Sequence, residues 1–299
     1  LSRGLGDVYK RQIVVIINVT TNSTHKYFYG GFIMKKTDYK EIKLEKGTIF
    51  EYSFGEVKLL VYRTNDFIDD EAIMLVKNNK TVVIESPCFN DNIAELEQFI
   101  KDTGTQVEGV VLAYHMGGGT FLPNVKKYAT KKANTYGTVG GGKALVENFT
   151  KAFGNMFDSS IHSVTNIIAG ETLKIADTEL SIVETADAFD IVFPEINVIY
   201  THMLGHDCHS IIGGAAHADA MIAELEGYIN KNYDLILTSH YDPEDTNDVK
   251  TKIDYVKNIK SIANKSANAE EFKQKVKSEY PNYSGLNYLD ITAGAFFPA

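Results

Sequence analysis

The apolar segments of this chain are short, and segments with helical periodicity separate them. NIAELEQFI places Ile93, Leu96 and Ile100 on one face of a helix. The segment VEGVVLAYH follows as a buried strand that ends at His115. Before this helix, AIMLV and TVVIES flank an Asn-Asn pair, which suits a hairpin turn because asparagine tolerates positive φ. The pattern therefore predicts an α/β fold in which helices cover the sheets.

The same alternation continues to the C-terminus. Further strands are predicted for VKLLVYR, TYGTV, GETLKIADTELSIVETA, INVIYTHM and DLILTSH. Further helices are predicted for NVKKYATKKA, ALVENFTKAF, HADAMIAELEGYI, DVKTKIDYVKNIKSI and EEFKQKVKSEYP. Two halves, each of strands followed by helices, suggest two sheets packed face to face with helices outside, a four-layer αββα sandwich. A doubly wound single sheet gives the same alternation, so periodicity leaves both open.

Charge and composition restrict the partners. The formal charge of -9 and the pI near 5.4 argue against nucleic acid or an anionic membrane, because either requires a basic face. No apolar run approaches the roughly 18 residues of a membrane helix. Cys88 and Cys208 are too few for a disulfide framework and indicate reduced thiols in a cytoplasmic protein. A small-molecule substrate is the expected partner, and the oligomeric state stays open.

The N-terminal segment LSRGLGDVYKRQ looks like translated adapter sequence rather than native protein. We expect the native start at Met34, so that residues 1–33 are a non-native or disordered leader and 34–299 form a single domain with C-terminal helices. Identification of the natural N-terminus by mass spectrometry tests this expectation.

Histidines end three of the predicted strands, at His115, His202 and His240. Two more, His206 and His209, stand with Asp207 and Cys208 in the loop HMLGHDCH. Zinc and iron sites use imidazole, carboxylate and thiolate ligands gathered from separate strand ends. The histidines therefore indicate a candidate metal site.

The chain from about Lys58 to the C-terminus resembles the metallo-β-lactamase superfamily. The resemblance rests on the hairpin ending in TVVIES, the strand VVLAYH with glycines after it, the segment GETLKIADTELSIVETA, and DLILTSHYDPED before an amphipathic helix. In the last, His240 matches the family's ligand histidine and Ser239 stands in place of glycine. The resemblance implies an αββα sandwich, one or two ions of zinc or iron, and a bound hydroxide that attacks esters, lactones, thioesters, amides or phosphodiesters.

The chain departs from the family at its main metal motif. Where the family carries HxHxDH, this chain has YHMGGGTF, with His115 as the one histidine and no aspartate. The family's aspartate after the hairpin is replaced by Glu85, its middle histidine falls near Asp187 and Asp190, and its bridging aspartate falls near His202. Only one of the motif's four ligands is therefore kept.

Two explanations fit this departure. In one, a rebuilt site uses His115, His202 and His240, and His206, Asp207 or His209 completes or supports it. In the other, the metal has been lost, and the glycines at 117–119 form a backbone cradle or a tight turn. The glycine runs at 117–119 and 140–142 match neither GxGxxG nor GxxxxGK[ST], which argues against a nucleotide site.

Our functional expectation is a hydrolase in which metal-activated water attacks a small ester, lactone, thioester or related substrate. Its cofactor would be zinc or iron, its ligands His115, His202, His206, His209 and His240. Tyr114 and Asp207 are the candidate catalytic residues, Tyr114 because a phenol beside a ligand could donate to a substrate oxyanion. The alternative is a metal-free, non-catalytic relative that binds a small molecule or a partner.

Overall fold

The structure is a computed structural model, described here for residues 34–202 and 204–298. The predicted leader at 1–33, together with His25, lies outside these residues. The part from Lys35 onward forms one compact unit.

The first sheet is mixed and follows sequence order. Its strands β1 to β5 form an antiparallel meander, and β5, β6, β7 and β8 are parallel. Asn78 and Asn79 turn the β4–β5 hairpin with φ of 49° and 62°, as their predicted turn requires. The strands are β1 (Lys40–Lys43), β2 (Thr48–Phe54), β3 (Val57–Arg63), β4 (Glu71–Lys77), β5 (Lys80–Ile84), β6 (Gln106–Val111), β7 (Lys127–Thr130) and β8 (Asn166–Ile168).

The second sheet has five strands in the order β13-β12-β11-β10-β9. All its pairings are antiparallel except the parallel pair β12–β13. The strands are β9 (Thr172–Ile175), β10 (Thr178–Glu184), β11 (Phe189–Phe193), β12 (Val198–Tyr200) and β13 (Leu235–Leu237). Gly109 of β6 lies so close to Ile175 of β9 that a Cβ there would be 2.6 Å from the isoleucine Cδ1, so the sheets pack face to face.

Helices flank the two sheets, which confirms the predicted αββα sandwich and excludes the single doubly wound sheet. Within the described ranges, no helix is long and apolar enough to cross a bilayer. The helices are α1 (Asn90–Thr103), α2 (Lys131–Val139), α3 (Gly141–Phe153), α4 (Ala215–Lys231), α5 (Thr246–Asn264), α6 (Ala269–Glu279) and α7 (Leu286–Phe296).

The segment after Pro123 was predicted wrongly. Lys127–Thr130 forms strand β7 instead of a helix, and the predicted strand TYGTV lies inside α2. The Lys127 ammonium is buried and donates to the carbonyls of Phe121, Leu122 and Val125, so its charge did not mark a solvent-facing helix. Two strands upstream of the predicted β3, β1 and β2, were also missed.

Candidate metal centre

Three strand ends bring His115, His202 and His240 together. His202 and His240 follow the parallel strands β12 and β13, whose ends lie at the same edge of the second sheet, whereas His115 follows β6 of the first sheet. The ring centroids are 5.1 Å apart for His115 and His202, 5.0 Å for His115 and His240, and 5.2 Å for His202 and His240. One ligand atom from each ring lies within 4.8 Å of the others, which is close enough to share one ion.

The Nδ1 atom of each ring faces an oxygen of the protein. His240 Nδ1 donates to the Ile68 carbonyl over 3.0 Å, and His202 Nδ1 is 3.1 Å from Ser239 Oγ. His115 Nδ1 lies 3.6 Å from Asp70 Oδ1. Ligating histidines usually engage their second nitrogen in this way, since that contact fixes the tautomer and the ring plane. The arrangement therefore leaves the Nε2 atoms for a ligand.

Asp70 is the acid nearest to these rings. Its side chain is 1% exposed, and Oδ1 is 3.4 Å from His240 Nδ1 as well as near His115. Within the described part of the chain, neither of its oxygens accepts a well-formed hydrogen bond. Burial, with the neighbouring Asp66 charge, raises the pKa of Asp70 well above its usual range. A buried carboxylate without a cation is costly, so this position favours a metal cation bound by the three rings.

Burial favours the neutral form of all three imidazoles. Burial lowers the pKa of His202 to about 3, and it lowers the pKa of His115 and of His240 from the ordinary value. Neutral imidazole nitrogen is the form that binds zinc or iron. The donor set of three neutral rings beside a buried, unsatisfied carboxylate therefore fits a divalent transition-metal ion.

Glu85 holds the loop that carries His115. Its carboxylate accepts from the backbone amides of Ala113, Tyr114 and His115 and from the Tyr200 hydroxyl. Burial raises the pKa of Glu85 to about 7, and these hydrogen bonds oppose that rise. The Glu85 carboxylate therefore fixes the backbone of this loop.

Two hydrogen-bonded hydroxyl groups, those of Tyr200 and Ser239, connect Glu85 to the second sheet. The Tyr200 hydroxyl lies 2.8 Å from Glu85 and 2.6 Å from Ser239 Oγ, and the serine hydroxyl contacts His202. One buried carboxylate thus orients groups at two of the three strand ends.

The other predicted site residues are not part of the three-histidine group. Tyr114 stacks on His202 at 4.5 Å, but its hydroxyl points to Thr185 and Asp190. Asp207 is exposed, and its carbonyl accepts from Ser284. His209 is fully buried with Nδ1 3.0 Å from the Tyr255 hydroxyl.

His206 lies in a second group of possible ligands, with Glu244 and Asp248. His206 Nδ1 is 2.7 Å from Glu244 Oε1, and the Lys36 ammonium is 2.6 Å from Asp248. The Glu244 hydrogen bond raises the pKa of His206. Two acids thus already face two basic groups, which makes this group a charge network that ties α5 to the N-terminal side of the compact unit.

Sequence reasoning missed Asp70. The available signal for Asp70 was the acidic run DDE immediately before the apolar strand AIMLV. His162 lies in a loop and is buried, with Nε2 2.9 Å from Ser86 Oγ. Both cysteines are buried free thiols.

The glycines after His115 serve close packing. Gly118 has φ of +74°, and a Cβ there would lie 2.3 Å from the Pro87 carbonyl oxygen. The amides of Gly118 and Gly119 donate to the carbonyls of Asp158 and Ser160. These amides are therefore not free to cradle a phosphate.

No protein-family model matches the sequence, and no curated protein matches it. Solved structures do match the fold. A metallo-beta-lactamase from Erythrobacter litoralis with beta mercaptoethanol in the active site is 14% identical, with a TM-score of 0.50 over 73% of this chain and 100% of that one. A metallo-beta-lactamase family protein from Thermus thermophilus is 10% identical, with a TM-score of 0.56 over 81% of this chain and 91% of that one.

A double mutant of the sec-alkyl sulfatase PisA1 matches at 12% identity, with a TM-score of 0.57 over 82% of this chain. The match covers 49% of that protein, so this chain spans about half of its length. Identities this low establish the shared fold and leave the chemistry to the residues of the site.

Proposed function

Because the chain has the metallo-β-lactamase fold, we propose that it is a metal-dependent hydrolase whose ion is held by His115, His202 and His240. The observation that carries this proposal is the convergence of three neutral imidazoles with their Nδ1 atoms turned to protein oxygens. Zinc or iron fits this donor set.

The chain's own residues would orient the site. Asp70, which lies beside the Nδ1 atoms of His115 and His240, would balance part of the ion's charge. Glu85, Tyr200 and Ser239 would hold the His115 loop and the His202 ring in place. A bound ion would supply Lewis acidity and an activated water.

The substrate class in this proposal is a small ester, lactone, thioester or related compound. Tyr114 would act as a packing partner of His202, because its hydroxyl is bonded to Asp190. His206, Asp207 and His209 would stay outside the ligand set, because their contacts are with other groups. A cytoplasmic location remains part of the proposal, and cell fractionation tests it.

Metal content tests the proposal directly. The full chain, purified without a histidine tag, is compared by elemental mass spectrometry with the triple variant His115→Ala, His202→Ala, His240→Ala. We expect near-stoichiometric zinc or iron in the first and a loss in the second. A matched control is His217→Ala, since His217 is exposed at the start of α4 and should leave metal content unchanged.

Hydrolysis of short p-nitrophenyl esters, lactones and thioesters follows on the metal-loaded protein. Absence of metal in every sample, even after reconstitution, together with absence of hydrolysis, would refute the proposal. It would favour the alternative of a non-catalytic relative that binds a small molecule or a partner.

A further inference from the structure

An exposed apolar surface borders the candidate metal centre. Phe67, in the loop between β3 and β4, is 70% exposed, and its ring stacks on Phe153 at 5.5 Å. Leu145 is 48% exposed and Met156 is 53% exposed. Contiguous exposed apolar surface on a folded protein usually marks a binding site. We call Phe67, Leu145, Phe149 and Phe153 the apolar platform.

Helix α3 supplies most of the platform. Leu145, Phe149 and Phe153 recur every four residues and therefore lie on one side of the helix. One edge of this side is anchored, since the Phe153 ring is 5.2 Å from Phe89 and the Phe149 ring is 5.8 Å from Phe157. Gly142 is the single fully buried residue of α3. The helix thus packs by one edge and leaves apolar side chains at the surface.

The platform and the metal centre share their loops. Phe67 precedes Ile68, whose carbonyl accepts from His240 Nδ1, and both stand in the loop that leads to Asp70. Val146 of α3 lies against Gly117, where a Cβ would be 3.4 Å from its Cγ2, and Gly117 is two residues after His115. The loops that position the histidines therefore also carry or contact the apolar platform. A molecule held at the histidines by its polar group would have this apolar surface within reach.

Charge distinguishes between possible occupants. Helix α3 carries Lys143, Glu147 and Lys151, and the lysine and glutamate of the first pair are 4.0 Å apart. The whole chain has a formal charge of -9. A docking surface for an anionic membrane would need a basic face, which these residues do not provide.

We infer that the apolar platform binds the alkyl chain of the substrate, so that the substrate is an amphiphile with its hydrolysable group at the histidines. This inference rests on the proposed function and specifies its substrate class. A longer alkyl chain should therefore bind more tightly, because each fully buried methylene contributes about fourfold in affinity, and less on an open surface.

Titration calorimetry with two non-hydrolysable probes tests the inference. n-Decylphosphonate and n-butylphosphonate, below micellar concentrations, are titrated into the full chain with and without zinc. We expect the decyl probe to bind at least about tenfold more tightly than the butyl probe. Phe67→Ser and Leu145→Ser should each reduce that ratio about threefold or more.

The matched control is Ile291→Ser, because Ile291 is a 53% exposed apolar residue of α7 that makes no part of the platform. It should keep the full chain-length preference, and circular dichroism should confirm that all variants fold. Equal affinity for the two probes, or an equal loss in Ile291→Ser, would overturn the inference.

A second copy of the chain is the competing occupant. Sedimentation velocity that shows a dimer dissociated by Phe67→Ser would also overturn the inference. Failure of the proposed function is read separately, as absent metal and absent hydrolysis. A decyl preference that persists in that case would leave the alkyl-binding surface standing without the hydrolase.

Discussion

At the scale of single residues, the oxygens beside the Nδ1 atoms decide which nitrogen of each histidine can bind a metal ion. A carbonyl, a serine hydroxyl and a carboxylate each face one Nδ1 atom. The carbonyl can only accept, so His240 must carry its proton on Nδ1 and keep the Nε2 lone pair. Asp70 is the least conventional of the three, because it is buried without a full hydrogen-bond partner in the described residues.

Asp70→Asn should therefore weaken zinc binding by about 10- to 100-fold, because the counter-charge beside two of the rings is lost. The metal-free protein should be as stable as the wild type or more stable, since an unpaired buried charge is removed. Zinc competition titration and urea unfolding measure the two effects.

Glu71→Gln is the matched control for Asp70→Asn. Glu71 is the next residue, equally buried, and both its oxygens also lack a hydrogen-bond partner in the described part of the chain. Asp70, just before β4, contacts His115 and His240, whereas Glu71 begins the strand and is not paired with any histidine among the described residues, so this change should leave zinc affinity unchanged. Equal zinc affinity in Asp70→Asn and the wild type would rule out the assigned role of Asp70.

His162 should make stability fall at acid pH. Burial holds its pKa at about 3 in the folded protein, against 6.5 ordinarily. Below pH 6.5 the unfolded chain therefore binds a proton that the folded chain does not, and stability is lost as pH falls from 6.5 toward 3. The loss amounts to about 2 kcal/mol at pH 5.

The measurement is urea unfolding of wild type and His162→Gln at pH 7.5, 6 and 5. Glutamine keeps a polar group for Ser86 but does not titrate. The variant should be less stable at pH 7.5, and its deficit should shrink toward pH 5. A constant deficit across this range would show that His162 does not titrate as its burial implies.

At the scale of elements, the loop after β6 packs closely against neighbouring parts of the chain. Because residues 117–119 are glycines, Cys88, Pro87 and Ser160 approach this loop more closely than a Cβ would allow. Close backbone packing therefore fills the loop that follows His115. His202, at the end of β12, lies beside His115 and His240.

Gly118→Ala should destabilise the protein by about 2 kcal/mol or more, because a Cβ would collide with the Pro87 carbonyl at a positive φ. Gly227→Ala is the control. Gly227 lies within α4, and a Cβ there meets nothing within 4 Å. It should stabilise the protein by about 0.5–1 kcal/mol, since alanine favours helix. Thermal unfolding compares them, and a neutral Gly118→Ala would contradict the packing role.

At the scale of the whole molecule, a shared ion should couple the two sheets. His115 belongs to the first sheet, and His202 and His240 belong to the second. A ligand that binds only the folded state stabilises it by about 2.7 kcal/mol at a concentration 100 times its Kd. Zinc at that concentration should raise Tm by about 5 °C or more, and a chelator should reverse the rise.

Mg²⁺ at the same concentration should leave Tm unchanged, because it prefers oxygen ligands. The triple histidine variant should not respond to zinc. A zinc-induced rise that persists in this variant would place the stabilising ion elsewhere, for example at His206, Glu244 and Asp248.

The sequence by itself determined the α/β class, many of the elements and the three strand-terminal histidines, but not the choice between two sheets and one. Strand and helix periods are local, so Leu235–Leu237 and α5 could be read from a few neighbouring residues. The Lys127–Thr130 segment could not, because three carbonyls brought in by the loop bury its lysine charge.

Only the tertiary structure decided which polar residues meet. Asp70 and His240 are 170 positions apart in sequence yet within 3.4 Å, whereas His206 and His209, close to His202 in sequence, contact other groups. Strand order across two sheets fixes such distances. No local pattern encodes that order, because each strand's sequence records its own faces and not its partner in the facing sheet.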